Sequence, residues 1–139
     1  MKLIILILVN VILSSHSCNN ECDKNLKDAI SKNWTYDSQQ KFYKTSLEFT
    51  KQIDSVYKGC IIGKDSAYIS KLFGSDYTVQ ATEQPELIKT YPITMQYIVF
   101  HSCDMSAPNA RCFHLVFYLT NESKVGKASL HQESKSSYQ

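Results

Sequence analysis

Five cysteines and four histidines are the residues of this 139-residue chain with the most reactive chemistry on offer. The cysteines are Cys18, Cys22, Cys60, Cys103 and Cys112, and two of the histidines flank the last pair, in His101-Ser102-Cys103 and Cys112-Phe113-His114. If these segments form antiparallel strands with Cys103 opposite Cys112, the same register sets His101 opposite His114, Val99 opposite Val116 and Tyr97 opposite Tyr118. Side chains alternate faces along a strand, so all eight share one side of the sheet. Two sulfurs and two imidazoles on one face are the donors of a tetrahedral zinc site, with zinc–sulfur bonds of about 2.3 Å. An oxidising compartment favours joining the sulfurs instead, so a disulfide is the expectation, with no metal and no cofactor. Nucleophilic catalysis needs a Ser or Cys beside a His that a carboxylate orients. His101, Ser102 and Asp104 are close in sequence, but neighbours on a strand point to opposite faces. Glu48 and Asp54 read as solvated helix charges rather than a glycosidase pair. No residue is assigned a catalytic role, and the chain is expected not to be an enzyme.

Disulfides imply export, and the N-terminus has the layout for it. Lys2 precedes the apolar run Leu3 to Leu13, interrupted only by Asn10, and Ser14-Ser15-His16-Ser17 follows. Residues 1–17 read as a cleavable signal peptide, with Ser15 and Ser17 as the small residues before a cut at Cys18. The run is shorter than the about 20 residues that span a bilayer. Without Lys2 the chain carries 14 basic and 13 acidic residues, and Arg111 is its single arginine. That balance excludes the clustered positive charge of a nucleic-acid binder. The odd cysteine count leaves two readings of Cys18: a lipid-bearing first residue, which would be the chain's one attachment to a membrane, or a free or intermolecular thiol. Ser15 and His16 fit a lipoprotein signal poorly.

Residues 18–131 are expected to form one α+β domain, followed by a flexible Ser- and Lys-rich tail, 132–139. Leu26, Ala29 and Ile30 mark a helix from Asp23 to about Trp34. Residues 35–46 show no clear period and read as a loop or short extended piece. Phe49, Ile53, Val56 and Tyr57 mark a second amphipathic helix stopped by Gly59. In Gly63 to Gly74, Asp65 supplies an N-cap, Tyr68, Ile69, Leu72 and Phe73 an inward face, and Gly74 a C-terminal stop. Strands are expected over Tyr77 to Gln80, Leu87 to Tyr91, Ile93 to His101, Cys112 to Leu119 and about Lys124 to Leu130. The fold class is therefore two to three helices on one face of a small antiparallel sheet of three to four strands, stapled by disulfides.

In the Cys103–Cys112 register, Ile98 and Phe100 join Phe113, Leu115, Phe117 and Leu119 on the side that helices must cover. Tyr97, Val99, His101, His114, Val116 and Tyr118 are left as the exposed face and the candidate surface for a protein partner. Tyr91, Ile93 and Met95 fall on the same parity as Tyr97, which would overload that face with apolar side chains unless a bulge near Pro92 resets the alternation.

Gly63 to Asp76 resembles the short-helix signature of the SmpA/OmlA family of small bacterial outer-membrane lipoproteins. Gly63, Asp65, Ile69, Leu72, Phe73 and Gly74 match it, while Asp76 stands where Pro is usual. Leu115-Val116-Phe117-Tyr118 followed by Asn121 to Val125 is similar to that family's closing hairpin. Over residues 60–130 the resemblance implies helices packed on a three-stranded antiparallel sheet and a role in binding another protein at the cell envelope. The second-helix region and both proposed bridges, Cys22–Cys60 and Cys103–Cys112, depart from the family's pattern. The expectation is an exported cell-envelope binding or assembly protein, at the periplasm or outer membrane or secreted. The alternative is an inhibitor or immunity protein that presents the loop Asp104 to Arg111 to a hydrolase or toxin. Two sequons, Asn33-Trp34-Thr35 and Asn121-Glu122-Ser123, would mark a glycoprotein in a eukaryotic source.

Overall fold

The computed structural model describes residues 20–134. The signal segment and Cys18 lie outside them. Helix α1 is described over residues 20–33, and its Leu26 and Ile30 face the core. Strands β1 (Thr35–Asp37) and β2 (Phe42–Lys44) form a tight hairpin in the segment read as a loop or short extended piece. Helix α2 (Leu47–Asp54) starts at Ser46, whose hydroxyl accepts from the Phe49 amide at 3.0 Å. It ends before Val56, which is exposed, and Gly59 belongs instead to a one-turn helix α3 (Lys58–Ile61). Helix α4 (Ser66–Phe73) is the capped helix read from the sequence: the Asp65 carboxylate accepts from the Tyr68 amide at 2.8 Å, and Gly74 closes it at φ +103°. A Cβ on Gly74 would lie 2.3 Å from the Tyr43 hydroxyl, so both conformation and space require glycine there.

Strand β3 (Thr78–Ala81) precedes α5 (Pro85–Ile88), and β4 (Ile93–Val99), β5 (Arg111–Leu119) and β6 (Val125–Ser134) form a long antiparallel meander. The strand expected over Leu87 to Tyr91 is therefore the end of a helical turn. Pro85 at its start has its φ preset for a helix and lacks the N–H that a strand would need. Residues 132–134, expected in the flexible tail, continue β6, where Gln132 pairs Phe113 and Glu133 pairs Cys112.

Among the described residues the architecture is α+β with a mixed six-stranded sheet in the order β1-β2-β4-β5-β6, and β3 paired to β4. One edge of β4 is shared. β3 takes its first half, Thr78 opposite Gln96, and β2 meets its end in parallel through Tyr43 and Val99. This extends the expected three to four strands by two short ones. Both disulfides form: Cys22–Cys60 ties α1 to α3, and Cys103–Cys112 closes the β4–β5 loop. Such bridges belong to chains that mature outside the cytoplasm. No helix among the described residues is long and apolar enough to cross a membrane.

The core is aromatic. Trp34 stacks on Tyr43 at 4.7 Å and meets Phe73 and Tyr97 edge-on at 5.2 and 5.8 Å. The polar tips of this cluster bond the carbonyls that the end of α4 leaves over: Trp34 Nε1 donates to Phe73 O at 2.7 Å, and the Tyr97 hydroxyl to Gly74 O at 3.0 Å.

Candidate functional site

The register of β4 against β5 decides which side chains face away from the helices. Tyr97 lies opposite Leu115 and Val99 opposite Phe113. The Cys103–Cys112 pairing does not propagate into the strands, because three residues are spent between Val99 and Cys103. Phe100 takes φ +74°, and the His101 amide turns back onto Val99 O at 3.0 Å. An odd offset exchanges the two faces of one strand relative to the other. Tyr97 and Val99 are consequently fully buried under the helices with Met95, Leu115 and Phe117, and neither belongs to an exposed surface. Ile98 moves to the other side, and the apolar overload at Ile93 and Met95 disappears without a bulge at Pro92.

His101 leaves the predicted face as well. Its Nε2 lies 2.7 Å from Arg111 O and its ring packs edge-on against Phe113 at 5.5 Å, so it does not meet His114. The Cys₂His₂ arrangement is not assembled. Cys103, Cys112 and His114 are brought together, with one donor atom from each within 4.8 Å of the others. His114, Val116 and Tyr118 do lie on the helix-free side, as the floor of a groove and not as a projecting surface. Val116 and Tyr118 are each only 3% exposed.

That groove, about 280 Å³, is walled by Thr78 and Gln80 of β3, Thr94 and Gln96 of β4, Gln84 before α5, and His131 and Glu133 of β6. Every lining side chain but Val116 carries a hydrogen-bonding group, and the charged ones are the carboxylates Glu83 and Glu133. At one end His131 Nε2 sits 3.0 Å from both the Gln84 side-chain nitrogen and the Tyr118 hydroxyl. Lys127 covers the Tyr118 ring, its Nζ 5.3 Å from the centroid. Gln96 donates to the Thr94 hydroxyl at 2.9 Å. His114, directly opposite His131, has both ring nitrogens buried without a hydrogen-bond partner. Burial pushes its pKa below 6.5; Glu133, 3.8 Å away, opposes that shift and His131 adds to it. The imidazole is thus neutral near pH 7, a group able both to donate and to accept.

Thr78, Gln80, Gln84, Thr94, Gln96, His131 and Glu133 are the site residues that the sequence reading missed. A signal for them exists in Ile93-Thr94-Met95-Gln96-Tyr97, where the polar side chains take the even positions and so mark the wet face of β4 directly. No protein-family model, curated protein or solved structure matches the chain.

Proposed function

We propose that this is an exported binding protein of the cell envelope, without catalytic activity, which engages a protein partner through the groove on the helix-free side of its sheet. What supports the reading most is His114: its ring nitrogens are buried without a hydrogen bond, Glu133 reaching Nε2 only to 3.8 Å, and a ligand group that reaches them restores bonds the ring would have in water. A lining of amides, hydroxyls, imidazoles and two carboxylates, with the Lys127 ammonium against Tyr118 at one end, suits a partner segment that donates hydrogen bonds or carries a basic side chain toward the carboxylates. A signal peptide at 1–17, a lipid on Cys18, periplasmic or outer-membrane residence and the SmpA/OmlA resemblance of Gly63 to Asp76 belong to the same proposal. The second reading, an inhibitor or immunity protein, draws on the Asp104 to Arg111 loop, which the Cys103–Cys112 bridge and the turn from Asp104 O to the Ala107 amide hold in shape.

One experiment separates them. A photo-activated cross-linker is placed in cells at Gln80 on the groove rim, at Pro108 on the loop tip, and at Lys51 on the helical side. Capture of one defined partner from Gln80 alone is the expected result. Capture from Pro108 alone transfers the role to the loop, and capture from none or from Lys51 alone removes the groove proposal.

A further inference from the structure

Beside His114 of the groove floor lies a cluster of soft donor atoms that is not part of the groove lining. The sulfurs of Cys103 and Cys112 and a ring nitrogen of His114 lie within 4.8 Å of one another. The loop after β4 also carries Met105 back over the strand, so that its sulfur sits 3.3 Å from Cys112 Sγ. Both nitrogens of the His114 imidazole are buried without a hydrogen bond, the Glu133 carboxylate approaching Nε2 only to 3.8 Å. Three donors thus converge, Cys103 from the loop and Cys112 and His114 from β5, with Met105 of the loop against Cys112. We propose that the cluster is a redox-gated site for copper(I), closed while Cys103 and Cys112 are joined and open once a dithiol reductant has separated them.

The opening step balances as ordinary thiol–disulfide exchange. A thiolate of the reductant attacks Cys103 Sγ, the half-buried sulfur of the pair, and the fully buried Cys112 leaves as thiolate. The reductant's second thiolate then displaces Cys103 and closes its own disulfide. Two electrons pass to the cysteines, and the reductant's two protons end on the two cysteine sulfurs. Copper arrives already as copper(I), is neither oxidised nor reduced, and on binding displaces those protons to water. Metal–thiolate bonds of about 2.3 Å separate the donors of a tetrahedral centre by about 3.8 Å, the scale of this cluster. Thiolate and imidazole alone would serve zinc equally; a thioether beside them is a copper(I) donor and not a customary zinc ligand. The site shares His114 with the groove but takes no ligand from the other lining residues.

The test is an anaerobic titration of the phosphine-reduced full chain with copper(I) against a chromogenic copper(I) chelator, and separately with zinc(II). Trp34 fluorescence reports whether the reduced chain stays folded. In a Cys18→Ser/Cys22→Ala/Cys60→Ala background, where reduction frees only Cys103 and Cys112, we expect one copper(I) per reduced chain, none on the oxidised chain, and an affinity lower by about tenfold or more in Met105→Leu and in His114→Phe. The Cys22→Ala/Cys60→Ala variant should keep the site. Unchanged binding in Cys112→Ser, parental affinity in both ligand variants, tighter zinc binding indifferent to Met105→Leu, or uptake only with loss of native fluorescence would each overturn the proposal.

Discussion

Tyr97 shows how much turns on one side chain. Its ring touches Trp34, Tyr43, Phe73 and Phe117, and its hydroxyl ends the α4 carbonyl row. Tyr97→Ser should therefore lower unfolding stability by about 3–5 kcal/mol, as large-to-small aromatic changes in cores do, read from a urea midpoint. Thr78→Arg, on the exposed groove rim, should shift the same midpoint by no more than about 0.5 kcal/mol while slowing association with the partner in a salt-dependent way. A second residue-scale effect concerns pH. The Tyr68 hydroxyl donates to the Asp23 carboxylate, and this bond, aided by Lys27 and Lys64 against partial burial, holds Asp23 below its usual 3.8. A lowered carboxylate pKa stabilises the fold above 3.8 and loses that contribution as pH falls through the folded value. Tyr68→Phe should be less stable than the parent near neutral pH, with a gap that closes as the pH drops below 3.8; a gap independent of pH would contradict the pairing.

At the scale of elements, what could be read from sequence was set by length and punctuation. The Asp65-to-Gly74 helix was legible because cap, apolar face and stop agree within ten residues, and the β5 run because its nine residues are almost all apolar or aromatic, the composition of a strand. β1 and β2 have three residues each, too few for a period to show, and their pairing is fixed by Tyr43 packing on Trp34 and Tyr97, contacts remote in sequence. The candidate groove was half legible. His114, Val116 and Tyr118 follow from β5 alone, but its other wall depends on a register that Phe100 offsets before Cys103. The disulfides act on elements too. Cys22–Cys60 closes a separation of 38 residues and Cys103–Cys112 one of 9, which the chain-entropy relation converts to about 4 and about 2.5 kcal/mol. Replacing the first pair by alanine should cost more stability than replacing the second, as measured by denaturant unfolding of the two double variants.

For the molecule as a whole, the helices and the aromatic cluster bury one side of the β3–β6 sheet, and the other side is left as a polar trough. Whether the trough exists rests on the β4–β5 register, so the most direct measurement is a set of nuclear Overhauser contacts from the Tyr97 ring in the oxidised protein. Contacts to Trp34, Phe73 and Phe117, with Gln96 and Val116 side chains in contact on the opposite side, are predicted. Contacts from Tyr97 to Tyr118, and between the methyls of Val99 and Val116, would mean that the Cys103–Cys112 register runs through the strands and that the groove described here is not there.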